Sequence, residues 1–428
     1  MSLGTSARRP VEGSPGAARQ ARSLGGPDPS AGASSASGAG SSGNRSTVDA
    51  GATDAGEVTT LTAPTWTVRE VPVPPSLEHP DAWLLLGANR VRTAGVLELW
   101  GSADLADSPR ADLAELRDTD AELTVRLVAV ADDGPAEPAS VIGGVSVALT
   151  VRDNRHSAFV AVDVLAQHRR RGIGTALLAA ATAVARADGR TLLMTRTGQR
   201  VEPPAGPGAL VAPTGAGRLS VDRPAVQWLA RTGWTLGQVA RRSELDLPVD
   251  PELLHRHASD AAEAAGVDYR LHTWGTVVPE RWLGQYARLL AQMSTDAPLG
   301  EVDWRPETWD GDRVRAQEHL LHEAGYELLV TAAEHVPSGE LAAFTNVWLP
   351  SHTYEYAHQG DTLVVAGHRG RRLGMLVKTA NLERLAEQRP AVRRVGTWNA
   401  EENRWMLAIN VALGFRPAGV SGTWQRAI

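Results

Sequence analysis

One arrangement occurs twice in this chain, and it limits the possible fold more than any other feature. An apolar stretch, Ala158 to Val164, runs into a basic glycine turn, Arg169 to Gly174. A segment follows whose apolar residues Ile173, Leu177, Leu178, Ala181, Val184 and Ala185 recur every three to four positions. The first pattern reads as a strand and the last as one face of a helix. Two hundred residues further on, Val364 to Gln388 repeats the arrangement, with Val364, Ala366, His368, Arg369, Arg371 and Gly374 identical to Val164, Ala166, His168, Arg169, Arg171 and Gly174. Two such units point to a duplicated α/β domain.

A strand that passes through glycine into a helix makes an anion site. The first N–H groups of the helix have no carbonyl partner, they converge, and the helix dipole adds partial positive charge. Gly172 and Gly174 let backbone approach a diphosphate without a Cβ in the way, and Arg169, Arg170 and Arg171 add cationic donors. The turn is neither a dinucleotide fingerprint, which needs a third glycine, nor a P-loop, which needs a lysine followed by a hydroxyl.

Length suggests two or three domains for 428 residues. With 43 Lys+Arg against 49 Asp+Glu the net charge is −6, so no overall basic field argues for nucleic acid or an anionic membrane as partner. The chain has no cysteine, which excludes disulfides and thiolate chemistry and fits a cytoplasmic protein. No apolar run reaches the roughly 18 residues of a membrane span, and no secretory signal is expected. No His, Asp and Glu cluster has metal spacing, so no metal is expected.

Residues 1–62, rich in Gly, Ala, Ser and Pro, read as a disordered tail. Strand patterns follow at Trp66 to Val73, Leu123 to Ala131, Val141 to Val151 and Thr191 to Thr195, and helical ones at Asp81 to Trp100, Asp112 to Leu116 and Ala225 to Arg231. Trp234 to Leu247 supplies final strands. Residues 200–220, rich in Pro and Gly, read as a lid or a disordered insert. Residues 248–267 read as a bridge to a second unit, with helices at Glu280 to Met293 and Arg313 to Ala324 and strands at Tyr326 to Glu334, Glu340 to Trp348 and Val395 to Trp398. Asn399 with Glu402 resembles a capping box opening a last helix, Glu401 to Leu413, before a final strand through Phe415 to Arg426.

The string R-x-x-G-x-G at Arg169 to Gly174 resembles the acetyl-CoA pyrophosphate loop of the GNAT acyltransferase superfamily. Over about residues 65 to 428 the chain is similar in architecture to tandem GNAT proteins of the mycothiol synthase-like type, and Asn399 to Phe415 resembles their last helix. The resemblance implies two tandem mixed α/β domains, residues 63–248 and 249–428, each with a central sheet flanked by helices. It implies acetyl-CoA or another acyl-CoA as cosubstrate and a small-molecule primary amine as acceptor. The pantetheine arm would lie along Val162, Asp163 and Val164 in the first unit, and along Leu363 and Val364 in the second. The diphosphate would sit on Arg169, Arg170, Arg171, Gly172, Ile173, Gly174 and Thr175, or on Arg369, Gly370, Arg371, Arg372, Leu373 and Gly374. Arg372 stands where the first motif glycine is expected, so its backbone angles decide whether the second loop keeps its shape.

Family members commonly pair a Glu near the central strands with a Tyr on the last helix; here those helix positions hold Leu229 and Asn410. The resemblance therefore offers Glu355, Tyr356 and Asn410 as catalytic candidates, with Asn403 near pantetheine. His358 and Asp361 crowd the same strand. The plain reading of Tyr354 to His358 is a half-exposed strand with packed aromatics. Two other functions stay open: an acyl-CoA-binding or scaffold protein in which one or both units have lost turnover, and a protein acetyltransferase.

Overall fold

The alternating strands of both halves hydrogen-bond into one mixed sheet. A computed structural model describes residues 65–118 and 122–428; the expected tail over residues 1–62 lies outside them. The first unit holds β1 (Trp66–Glu70), α1 (Trp83–Trp100), α2 (Pro109–Arg117), β2 (Glu122–Ala131), β3 (Val141–Thr150), β4 (Ser157–Val164), α3 (Ile173–Ala187) and β5 (Leu192–Gln199). A two-stranded hairpin, β6 (Ala209–Val211) and β7 (Arg218–Ser220), precedes α4 (Pro224–Arg231) and β8 (Thr235–Asp246). The second unit runs through α5 (Pro251–Ala265), β9 (Tyr269–Trp274), α6 (Glu280–Asp296), α7 (Gly311–Ala324), β10 (Tyr326–His335), β11 (Glu340–Pro350), β12 (Tyr356–Val364), α8 (Leu373–Gln388), β13 (Arg394–Ala400), α9 (Arg404–Ala412) and β14 (Arg416–Ala427).

The sheet order is β1-β2-β3-β4-β5-β14-β8-β13-β12-β11-β10-β9. Each unit's last strand therefore completes the other unit's half: β14 pairs along β5, β8 pairs along β13, and β8 and β14 pair with each other. The expected division at residues 248 and 249 separates two stretches of chain whose sheets are joined by backbone hydrogen bonds.

Two parallel pairs position the site. β4 meets β5 only over Ser157–Phe159, and β12 meets β13 only over Tyr356–His358. Beyond those residues the strands part, leaving the edges of Val160 to Val164 and Gln359 to Val364 unpaired toward the gap. The α3 stripe expected from the sequence packs on this sheet, with Ile173, Leu177, Leu178, Ala181 and Ala185 buried and Val184 half-buried. Burial of Ile173, Leu177 and Leu178 contributes roughly 1.5–3 kcal/mol each, and Leu177→Ala would cost about 2–5 kcal/mol.

Several local expectations need correction. Residues 248–267 contain α5, with the Asp250 side chain accepting from the Glu252 N–H at 2.9 Å and Pro251 at the first position, a start signal legible in the sequence. β9 was not anticipated, and Trp234 to Leu247 forms one strand. The last helix begins at Arg404, because Asn399 and Ala400 are held in β13 against Arg241 and Ala240. Its cap is Asn403, whose Oδ1 accepts from the Met406 N–H at 3.3 Å, and not Asn399.

Candidate active site

The two glycine turns share one backbone path. A 3₁₀ turn at Ala166–His168 ends on Arg169 with φ −67° and ψ 162°, and Ala366–His368 ends on Arg369 with the same angles. Two left-handed residues follow in each turn. In the first they are Arg170 at φ 63° and Gly172 at φ 82°; in the second, Gly370 at φ 81° and Arg372 at φ 55°. Each loop thus has one glycine and one arginine in the conformation that favours glycine, in opposite order. Arg372 does not have ordinary angles, yet the left-handed angles it adopts reproduce the loop shape.

In the first turn the helix closes its first bond from the Ala176 N–H to the Gly172 carbonyl at 3.0 Å, so the N–H groups of Ile173, Gly174 and Thr175 lie ahead of the ladder. The space above them is open. A Cβ on Gly172 would meet nothing within 4 Å, and one on Gly174 only Val164 and Val162 of the same strand at 3.8 and 4.0 Å. These N–H groups face a cavity of 420 Å³ between the parted β4 and β5, roofed by α4 through Trp228 and Leu229 and ended by Trp234. The unpaired edge of β4, the helix start and an adjoining apolar cavity fit an extended cofactor with a diphosphate and a slender arm.

The second turn differs in what covers it. A Cβ on Gly374 would come within 3.1 Å of Ile409 Cδ1 from α9, and Gly374 is buried where Gly174 is half-buried. At the position of Leu178, which lines the first cavity, α8 carries Lys378, the chain's only lysine, 1% exposed with its Nζ 5.6 Å from the Phe415 ring centre. Burial pushes this amine down to about 7.

The first arginine of each turn braces the strand before it. Arg169 Nε donates to the Val164 carbonyl at 2.9 Å and its two terminal nitrogens grip Glu98 of α1 at 2.7 Å; Arg369 Nε donates to the Val364 carbonyl at 3.1 Å and reaches Asp296 of α6 at 2.8 Å. These side chains tie the strand end to a helix. Arg170, Arg171, Gly370 and Arg371 stand exposed on the loops.

Two buried carboxylates have lost their usual acidity. Asp163 on β4 lies under α1, its Oδ1 without a hydrogen-bond partner, and burial raises it to about 7 against the pull of Arg92. Asp361 on β12 is also raised to about 7, by burial and the neighbouring charge of Glu307, and its Oδ2 has no partner. A bulge between Thr345/Thr362 and Val347/Gln359 sets Asp361, whose N–H donates to Asn346 Oδ1 at 2.9 Å; the first unit pairs β3 with β4 without a shift there.

The remaining expected residues are dispersed. Glu355 is exposed, and its carbonyl accepts from Arg393 and Arg394. Tyr356 packs with Val96 and Leu105, its hydroxyl 3.4 Å from an Arg242 nitrogen and pushed up to about 12 by burial. Asn410 is buried and donates to Asn399 at 2.7 Å. His358 is driven down to about 3 by burial and Arg242, and so is neutral near pH 7. Arg196 of β5, which lines the first cavity with its guanidinium 5.4 Å over Phe159, carried no sequence signal.

Residues 94–201 match the acetyltransferase (GNAT) family model. Among solved structures the chain is similar to a tandem GNAT protein from the clavulanic acid biosynthesis pathway, at 28% identity and a TM-score of 0.61, covering 84% of this chain and 98% of that one. It shares its fold with a GCN5-related N-acetyltransferase from Sphaerobacter thermophilus, at 15% identity and TM-score 0.50, over 85% of this chain and 96% of that one. It also shares the fold of a GCN5-related glucosamine N-acetyltransferase region of a fungal multi-domain GH3 β-N-acetylglucosaminidase, at 14% identity and TM-score 0.53, over 85% of this chain and 38% of that one. No curated protein matches the chain.

Proposed function

From a GNAT acetyltransferase domain carried within a tandem GNAT architecture, we infer that this protein is an acyl-CoA-dependent N-acyltransferase that moves an acetyl group from acetyl-CoA to a primary amine of a small molecule. The observation that carries this reading is the first cleft, where unobstructed N–H groups at the start of α3 adjoin a 420 Å³ cavity between parted strands. When bound, acetyl-CoA supplies an acyl group already activated as a thioester. The N–H groups of Ile173, Gly174 and Thr175 hold the diphosphate, with Arg170 and Arg171 beside it. The open edge of Val162, Asp163 and Val164 receives the arm, and α4 with Trp234 shields the thioester from water. The amine must reach the thioester neutral, so a group near it has to take a proton.

A second reading, that the second unit is a structural partner with weakened cofactor binding, is favoured by Ile409 over Gly374 and by the buried Lys378 beside Phe415. Glu355, Tyr356, Asn410 and Asn403 remain candidates for that unit's chemistry. The test is release of free CoA thiol on incubation with acetyl-CoA and a panel of small primary amines. Amine-dependent release that Gly174→Glu abolishes supports the inference; saturable acetyl-CoA binding without release by any amine supports the non-catalytic reading.

A further inference from the structure

β4 presents its two faces to two different cavities. Side chains alternate along a strand, so Val160, Val162 and Val164 line the first cleft while Phe159, Ala161 and Asp163 line a separate cavity of 70 Å³ beneath α1 and α2. The space exists because the residues across the β3–β4 ladder are small, with Gly144 opposite Asp163 and Ser146 opposite Ala161. α1 leaves room as well, since a Cβ on Gly95 would lie 3.0 Å from Asp163 Oδ1. At its other end the cavity reaches Phe159, the last residue of β4 paired with β5 and so the fork where the two strands part.

The other acids of this cavity are paired. Asp107 lies 3.3 Å from Arg92 of α1, Glu115 of α2 lies 2.9 Å from Arg126 of β2, and both guanidinium groups also hold Asp112. Asp163 is 6% exposed, and its Oδ1 has no hydrogen-bond partner. Arg92, Arg169 and Arg126 favour its charged form, Arg169 being itself engaged by Glu98, and burial outweighs all three. Near neutral pH the group therefore passes between acid and carboxylate, the range in which a proton acceptor works best. A buried carboxyl left unsatisfied costs stability, and such groups cluster where chemistry is done.

With acetyl-CoA on the α3 face of the fork and under α4, an acceptor comes to the thioester from the opposite face, where Asp163 and this cavity lie. We propose that Asp163 is the group that takes the proton from the acceptor's ammonium, through water in the 70 Å³ cavity, which has room for a short file of a few waters. The proposal rests on the acyl-transfer reading. The ammonium gives a proton to the carboxylate and becomes a neutral amine. Its nitrogen attacks the thioester carbon, and the N–C bond forms as the C–S bond breaks. A second proton passes from that nitrogen to the departing thiolate, giving the free CoA thiol, and Asp163 returns its own proton to solvent. The second unit carries Leu363 at the matching position.

Release of free CoA thiol from about pH 5.5 to 9 tests it in the full chain, at saturating acetyl-CoA and with the fastest acceptor from a panel led by benzylamine, ethanolamine and glycinamide. In the wild type kcat should fall about tenfold per pH unit below about pH 7, beside any limb that the amine itself contributes. Asp163→Asn, which keeps the side chain's shape, should lower kcat by about 100-fold or more and lose that limb, leaving only the amine's own. Its acetyl-CoA affinity by calorimetry should stay within about threefold, because the arm uses only the backbone of residue 163. Its unfolding midpoint at about pH 8 should not fall, which separates lost turnover from lost structure. Ala161→Leu, which fills the passage and leaves the carboxyl, should slow turnover by about tenfold or more. Turnover in Asp163→Asn within about threefold of the wild type, the same pH limb in both, loss of acetyl-CoA binding in the variant, or full turnover in Ala161→Leu overturns the proposal and leaves acyl transfer standing. No amine-dependent release by the wild type with any amine of the panel overturns both.

Discussion

The two glycine turns have one backbone and two different surroundings. Both place a non-glycine arginine and a glycine in left-handed angles ahead of a helix, and both tie the preceding strand to a helix through the first arginine. Above the first, Gly174 opens on a cavity lined by Leu178 and Trp234. Above the second, Ile409 closes on Gly374, and the position of Leu178 is taken by a buried lysine. The duplicated loop thus keeps its backbone path while the side chains over it differ. The GNAT family match follows the same division, covering residues 94–201 and the first turn only.

The largest effect that would sharpen this contrast comes from Lys378. Its folded pKa, about 7, lies below the ordinary lysine value, so between roughly pH 7 and 10.5 the unfolded chain binds a proton that the folded chain does not, and stability rises with pH across that window. Lys378→Met should stabilise the protein by roughly 3–5 kcal/mol at pH 6, with the gain fading toward pH 10.5; urea titrations at several pH values measure it. A pH-independent gain would mean the amine is not buried uncharged.

Asp163, where the second unit has Leu363, gives the mirror-image result. Its pKa of about 7 lies above the ordinary carboxyl value, so the folded chain holds the extra proton and stability falls as pH rises from about 4 to 7. Asp163→Asn should stabilise by roughly 2–4 kcal/mol above pH 7 and by nothing below pH 4, read by the same titrations. Next, Ile409→Ala should open the second turn and strengthen acetyl-CoA binding there by about tenfold, near 1.4 kcal/mol, seen as a second site in a binding isotherm. If that site stays closed, Ile409 is not what closes it. Smallest, Asn403→Ala should cost about 1 kcal/mol through loss of the α9 cap, measured as a shift in the unfolding midpoint.

Much of the fold was legible because it rests on local periodicity. The α3 stripe, the strands flanking each turn and the glycine loops follow from residues adjacent in sequence. What was not legible depends on partners far along the chain. Exchange of β8 and β14 leaves each strand's own pattern unchanged, so no residue announces it. The start of α9 moved from Glu401 to Arg404 because β8 holds Asn399 and Ala400 in the sheet. In the candidate site, the N–H cradle was readable from Gly172 and Gly174, whereas the inward turn of Arg169 toward Glu98 and the orphaned oxygen of Asp361 needed tertiary structure. The α5 start at Asp250 and Pro251 is legible in the sequence as a capped helix signal.

The central claim is that the first turn, and not the second, is the seat of the coenzyme diphosphate. Calorimetric titration of acetyl-CoA into the wild-type chain and into Gly174→Glu tests it most directly. The account predicts one tight site per chain in the wild type and its loss in the variant, since the glutamate adds bulk and negative charge where the N–H groups converge. Two equal sites in the wild type, or an unchanged isotherm in Gly174→Glu, would contradict it.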